Sequence, residues 1–566
     1  MDHCNIYKIC IEDRTYSEWT IYIDGSYEEI ELSTVNPVTE KLFNNDVFTY
    51  IDGKVNIIHS MLRNDKNIPG VLIFTGKTYG RNGKKMLYKL IPDDKRMPMF
   101  LTAKEPGINK FNKFNVDQYV LFTLKHWNNE HPEAVISNSL GSIDILDNFY
   151  EYQLYCKSLN VSIQNFSRNT ASALRLKSEE EYIDSIMIKF PEIENRLNTN
   201  IYSIDPSMSK DFDDAFSITN INNNELVLSV YISNVSLWLD ALNLWDSFSE
   251  RVSTIYLPDR KRPMLPTCLS DCLCSLIQNN KRFALTCDFK IYNNKIVDVT
   301  YCNSLVKLSK NFVYEEKSLK LYTNYILLFN TVKLLSNSYK FNTSINDSHD
   351  VVHYIMVMMN YYSALEMMKS ENGIYRSSIS KREIVLPTNL SEDIIKFMNI
   401  WNSSGGQYVQ YDKDLKHNLL KLDSYIHITS PIRRLPDLLN IIKIQQNKSL
   451  LSLSNKANEF YSKWEKRLDY INITMRAIRK VQVDCTLLKF VMMNTNVLDK
   501  LFKATVFDFI DRGDGLFQYM CYIPDIKLVS RMTLREHIEE YSHITVRLYI
   551  MIDEHNIKKK IRIEKI

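Results

Sequence analysis

The sequence predicts an α+β chain in which a large mixed centre follows a small all-β barrel, and three observations carry that expectation. Between residues 45 and 145, short apolar segments such as VLIFTG, KMLYKLI, YVLFTLKHW and AVISNSL alternate with Gly, Asn-Gly and Pro turn signals, the texture of a small barrel. From Asp147 to Asn198 the apolar residues recur at helical intervals instead. Further on, strand-like runs such as ELVLSVYISNV and FALTCDFKI precede Phe460, Trp464, Leu468, Ile471, Met475 and Ile478, whose three- and four-residue steps predict one long amphipathic helix.

Composition bounds the function. A chain of 566 residues, 45% hydrophobic, is long enough for about three or four domains with substantial cores. Its formal net charge of +3 excludes a blanket polycation, so any nucleic-acid surface must be a local groove. The 34 Tyr and 25 Phe suit stacking on unpaired bases. No run approaches ~18 uninterrupted apolar residues, and the opening MDHCNIYKICIEDR lacks the apolar core of a signal peptide. A soluble cytoplasmic protein in a reducing compartment, with no membrane partner, is the expectation. The ten cysteines are then thiols. Cys268, Cys272 and Cys274 cluster without the paired CxxC spacing of a zinc site, which favours core or loop thiols.

In chain order, residues 1–45 hold the strand-like WTIYIDG and read as an N-terminal extension. Residues 46–145 read as an OB-type barrel, with Lys84, Lys85, Lys95, Arg96, Lys110 and Lys113 supplying positive loops. A purely structural barrel is the competing reading. Residues 146–195 form a helical connector, where Ser178 followed by three glutamates marks a helix N-terminus.

The chemistry concentrates between Ser203 and Ile218, SIDPSMSKDFDDAFSI, which places Asp205, Asp211, Asp213 and Asp214 within ten residues. Carboxylates this close repel and raise one another's pKa, so a fold keeps them where a divalent cation or several donors offset the repulsion. Mg²⁺ prefers one or two carboxylates together with waters and phosphate oxygens, which suits a phosphodiester site. A solvated acidic turn is disfavoured by the apolar runs on either side. A calcium loop would want Gly at its sixth position, where Lys210 stands.

Three blocks, IDPSMSKDFDDAF, YLPDRKRPMLPTCLSDCLCSL and YIHITSPIRRLPDLLN, look like the signature blocks of the RNase II/RNase R (RNB) family of exoribonucleases, in the family's order. PDDKRMPMF and KHWNNEHPEAVISNSLG resemble the second cold-shock barrel of the family's eukaryotic branch, the exosome catalytic subunit, here without a PIN domain. The resemblance makes residues 1–45 a remnant of a first cold-shock barrel. It also implies an RNB catalytic domain over 196–494, flanked by OB-type (cold-shock-like) β-barrels. The second of these is a C-terminal OB-like RNA-binding barrel over 495–566, with Lys558, Lys559, Lys560 and Arg562 as a basic edge. The trimmed architecture and AT-rich composition would fit a large DNA virus.

The resemblance further implies processive, Mg²⁺-dependent 3′→5′ hydrolysis of single-stranded RNA to 5′-nucleoside monophosphates. By the same resemblance Asp205, Asp211, Asp213 and Asp214 hold Mg²⁺, with Asp213 indispensable, and Tyr256 stacks on a base near the 3′ end, core packing being its alternative. Arg433 takes the catalytic arginine's role, with Ser430 and Arg434 beside it on the substrate; a salt bridge to Asp437 competes for Arg434. Ser430 and Pro431 could open a helix whose N–H groups meet a phosphate. Two departures stand out. The family's HIADVS reads YISNVS here, with Tyr231 and Asn234, and its paired glutamates fall on His353 and Tyr354. A catalytically impaired RNB-fold RNA-binding protein is therefore the alternative. Arg476, Arg479 and Lys480 either flank an RNA channel or form a solvated face. A monomer is expected, with a helicase or exosome-like complex as open partners.

Overall fold

The computed structural model describes residues 5–26, 28–103, 116–222, 224–338, 344–380, 385–403, 405–411, 415–553 and 559–566. The chain divides into two compact units, one of residues 1–160, 257–259 and 480–566, the other of residues 161–256 and 260–479.

In the first unit, strands Ile6–Ile11, Trp19–Ile23, Val47–Ile51 and Lys54–His59 form an antiparallel sheet. The pairing of Tyr7 with Phe48 joins the two sides of the boundary expected at 45/46. That boundary is corrected: Ile9, Ile11, Phe43 and Phe48 are wholly buried in one apolar cluster, so residues 6–59 fold together. The OB-type barrel begins nearer Ile68. Strand Ile68–Ile73 pairs with both Lys85–Pro92 and Gln118–His126, while Phe100–Ala103 runs parallel to Glu133–Ser142, closing a five-stranded ring. Gly70 lies in this ring where a Cβ would come within 2.8 Å of the Ile91 carbonyl oxygen, a close approach that explains the missing side chain. Lys110 and Lys113 lie outside the described residues.

The connector consists of helices Leu146–Cys156, Gln164–Ala173 and Glu179–Lys189. Ser178 caps the last of these in a reciprocal capping box with Glu181, as three acidic residues in a first turn favour.

The second unit is built on a closed barrel of strands Glu194–Asp205, Asp214–Asn222, Glu225–Ser233, Lys281–Tyr292 and Lys295–Val313. Its first and last strands are parallel, with Asp205 opposite Val313. Tyr202, Phe216, Leu228 and Leu285 fill the core, joined by Leu328, Ile355 and Met358 from helices Thr323–Ser338 and Ser348–Lys369. Each such fully buried aliphatic or aromatic side chain contributes about 1.5–3 kcal/mol. The single long helix expected around Phe460 is instead two, Asn455–Glu465 and Leu468–Met493. The chain breaks at Arg467, whose guanidinium covers the rings of Trp464 and Tyr470 at 4.7 and 4.8 Å and pairs with Glu250. Arg476, Arg479 and Lys480 lie on the second of these helices, all three exposed.

The C-terminal sheet takes strands Leu501–Asp511, Phe517–Ile523, Leu528–Leu534, His543–Ile552 and Lys559–Lys565 in the order third, second, first, fourth, fifth. No ladder joins the third and fifth among the described residues, so it is a barrel-like sheet with an open seam. Lys559 donates to the Ile143 carbonyl at 2.8 Å, which removes it from the expected basic edge; Lys558 lies outside the described residues. The described cysteines are free thiols. No described helix is long and apolar enough to cross a membrane.

Candidate active site

The aspartate loop sits where the barrel chain leaves one strand and enters the next. Strand Glu194–Asp205 stops at Pro206, which has no N–H for a ladder, and the chain re-enters the sheet at Asp214. The intervening loop is fastened from a distance. Ser275 Oγ accepts from the Phe212 amide at 2.9 Å and donates to the Lys210 carbonyl at 2.8 Å. The Leu276 amide donates to the Phe212 carbonyl at 3.0 Å, and the Ser233 amide to the Asp213 carbonyl at 2.9 Å. Ser275 follows a single π-helical turn, Leu269–Leu273, the kind of irregularity that recurs at functional sites.

Each aspartate meets a different environment. Asp213 is buried and accepts from the Ile432 amide at 2.9 Å and from Arg433 Nε at 3.1 Å. Burial pushes its pKa up to about 7, against the pull of Arg433 and the Ile432 amide. Asp211 accepts from Lys261 Nζ at 3.0 Å and from the Tyr256 hydroxyl at 3.1 Å. Lys261 also bridges to Asp271 at 2.9 Å. Asp205 has a buried Oδ2 with no hydrogen-bond partner; burial raises it to about 6, with Ser203 and Arg433 opposing and Asp211 reinforcing. Asp214 is pushed well above the carboxylate range by burial, then by Asp205 and Asp213.

The four aspartates expected to hold a metal divide by their partners in this geometry. Among the described residues no three His, Cys, Asp or Glu side chains come together to hold a metal, and Arg433 and Lys261 pair with Asp213 and Asp211. Asp205 and Asp214 remain, two mutually destabilising carboxylates with one unpartnered buried oxygen. That pair fits one hard divalent cation completed by water and phosphate oxygens.

Arg433 is anchored at two of its nitrogens, Nε on Asp213 and Nη2 on Ser430 Oγ at 3.0 Å. Its Nη1 faces no described partner, and the side chain is 47% exposed. Ser430 thus serves as a support for Arg433, and its amide donates to Asp437 at 2.8 Å. Arg434 turns away to the same Asp437 at 2.7 Å, which is the competing salt bridge. Tyr256 is 42% exposed, so it is not a core ring. The replaced family positions are structural: Tyr231 is buried, its hydroxyl 2.9 Å from Ser217 Oγ, and buried Asn234 caps helix Val235–Ala241. Tyr354 packs in the core while His353 is exposed.

Sequence reasoning missed Lys261, Ser275 and Tyr314. Tyr314 donates its amide to the Asp205 carbonyl at 3.1 Å, and burial followed by the charges of Asp214 and Asp205 raises its pKa. The His349 ring stacks on it at 3.8 Å and 10°. Lys261 was legible as a cation inside PDRKRP, but nothing local announced the other two.

Comparison with known proteins gives this geometry a context. The family model described as RNB domain matches residues 194–324, the barrel and its aspartate loop, ending well before Arg433. Ribonuclease R of Buchnera aphidicola is 27% identical over 477 residues, 66% of this chain and 65% of that protein. The chain spans less than two thirds of the length of the ribonuclease R relatives it matches. Among solved structures, Mycoplasma genitalium RNase R in complex with ribose-methylated single-stranded RNA superposes with a TM-score of 0.71 at 16% identity, covering 99% of this chain and 100% of that one. Yeast Ssd1, a pseudonuclease, superposes with a TM-score of 0.60 at 12% identity over 93% of this chain and 78% of that one. The family match, the shared fold and the aspartate loop together make the central barrel of this chain similar to an RNB domain, within a fold similar to that of RNase R.

Proposed function

We propose that the chain is a processive 3′→5′ exoribonuclease that degrades single-stranded RNA to 5′-nucleoside monophosphates with Mg²⁺, working as a monomer in a reducing compartment such as the cytoplasm. The observation that carries this reading is the pairing of Arg433 with Asp213 beside the unneutralised Asp205 and Asp214. A phosphodiester brought there meets a guanidinium already oriented by two hydrogen bonds, leaving Nη1 to donate to a phosphoryl oxygen as charge develops. Asp205 and Asp214 would hold the cation, which when bound supplies Lewis-acid polarisation and an activated water. The exposed face of Tyr256 offers a stacking surface for a base, and its hydroxyl is tethered to Asp211, which fixes the ring's position.

A second reading, an RNA-binding protein without hydrolysis, is favoured by one observation: Lys261 and Arg433 neutralise half of the acidic set from within the protein. Incubating 5′-labelled single-stranded RNA with the protein, with and without EDTA, separates the two. Stepwise shortening from the 3′ end only with Mg²⁺ supports the enzyme. Binding without shortening supports the second reading.

A further inference from the structure

A second polar cluster lies in the catalytic unit, around the paired strands Ile374–Ser377 and Gln407–Gln410. Their register sets Arg376 opposite Tyr408, and its guanidinium lies 4.7 Å from the centre of the Tyr408 ring. The Tyr408 hydroxyl is 2.8 Å from His427 Nδ1. Asn472 clamps the Tyr408 backbone in both directions, at 2.7 and 2.8 Å. This brings helix Leu468–Met493 onto the patch, with exposed Arg479 two turns further along the same helix. Asn440 donates to the carbonyls of Ile374 and His427 at 2.8 and 2.9 Å, tying in the helix Leu435–Asn447 that Arg434 heads.

Among the described residues the charges here do not balance. Asp437 serves Arg434 and the Ser430 amide. Arg376 has the Tyr408 ring but no carboxylate partner among the described residues. The Gly406 backbone closes over it, since a Cβ there would lie 2.6 Å from a guanidinium nitrogen. Arg434 Nε, His417 Nδ1 and Ser378 Oγ are buried without partners. Burial first, then Arg434, Arg376, His417 and Arg479, holds His427 far below its usual range, so it stays neutral. A half-buried arginine with no carboxylate partner is unfavourable unless an anion joins it. The planar forks of arginine suit the oxygens of a phosphate.

We propose that Arg376, Arg434 and Arg479 form a phosphate-binding site distinct from the aspartate loop, with the Tyr408 ring holding the Arg376 guanidinium in place. Arg433 and Arg434 diverge to separate carboxylates, Asp213 and Asp437, so adjacent residues serve separate sites. The phosphate is either a backbone group of a bound strand or a free phosphate or nucleotide.

The test uses the full chain in EDTA, so that it does not depend on hydrolysis. Calorimetric titration with inorganic phosphate should show binding that weakens at least ~tenfold in Arg376→Gln, as expected when about one charge-assisted pair of hydrogen bonds is removed, with partial recovery in Arg376→Lys. Titration with single-stranded RNA over a salt series identifies the source. A log–log slope smaller by ~0.7 in Arg376→Gln places a strand phosphate there, and an unchanged slope with abolished phosphate binding assigns the site to a free phosphate. Equal phosphate affinity in the parent and a folded Arg376→Gln overturns the proposal, as does no phosphate binding by the parent together with an unchanged slope. If circular dichroism shows Arg376→Gln unfolded, Arg479→Gln on the exposed helix face decides by the same two measurements.

Discussion

Asp213 combines two functions in one side chain: it receives the Ile432 amide and orients Arg433. Asp213→Asn keeps the shape and removes the charge, so turnover is expected to fall at least ~100-fold, as when a preorganised electrostatic interaction is removed. RNA affinity, measured by filter binding, should stay within ~3-fold because the interaction acts mainly on the transition state; retained turnover would refute the role. Tyr256 divides its duties differently. Its exposed ring face is available for stacking while its hydroxyl holds Asp211. Tyr256→Ala should leave a longer limit oligonucleotide, read on a sequencing gel, since a stacked base contributes about 1–3 kcal/mol. Tyr256→Phe should keep the limit length of the parent. An unchanged limit product in a folded Ala variant would remove the ring from the substrate path.

Among the elements, the aspartate loop depends on a clamp that no local pattern announces. Ser275 satisfies a donor and an acceptor of a loop lying 63 and 65 residues upstream. Ser275→Ala leaves both groups without their partner, which costs about 1–3 kcal/mol. Urea unfolding should show that loss, and turnover should fall with RNA affinity kept, because the aspartates lose their register with Arg433. Equal stability and turnover would show that the loop holds itself. The helix start at Ser178 was legible, because it is local chemistry. The break between helices Asn455–Glu465 and Leu468–Met493 was not, because it is made by Arg467 reaching Glu250, 217 residues away.

For the chain taken whole, the raised carboxyls set a pH dependence. Asp205 and Asp213 titrate near 6 and 7 when folded, and near the ordinary carboxylate value when unfolded. Over that window the folded state holds protons that the unfolded state has released, so these groups lower the stability of the ion-free protein as pH rises. A divalent cation held by Asp205 must displace the proton there. The gain in Tm from Mg²⁺ should therefore be larger at pH 8 than at pH 5.5, and should vanish in Asp205→Asn; melts with Mg²⁺ against EDTA check this, and an equal gain in that variant would deny Asp205 the cation. Deleting residues 496–566 should weaken binding of long RNA and reduce its salt slope by ~0.7 for each phosphate no longer neutralised, once circular dichroism shows the remainder folded. An unchanged slope would make the C-terminal sheet a structural element.

Three features were already specified along the chain: the β texture of the OB-type barrel, the density of carboxylates between Asp205 and Asp214, and the presence of Arg433 and Arg434 on a segment opened by Pro431. Each is written within a few dozen residues or fewer, where turn chemistry and spacing act directly. How those charges are shared was settled by the three-dimensional packing instead. Lys261 reaches Asp211 across 50 residues and Arg433 reaches Asp213 across 220, so four apparently equivalent aspartates become two neutralised supports and one repelling pair. Spacing along a chain says which charges are neighbours in sequence. Whether a carboxylate meets an ammonium, a guanidinium or another carboxylate depends on long-range packing, and that packing separates the pair fitted for a cation from the pair that holds the site in shape.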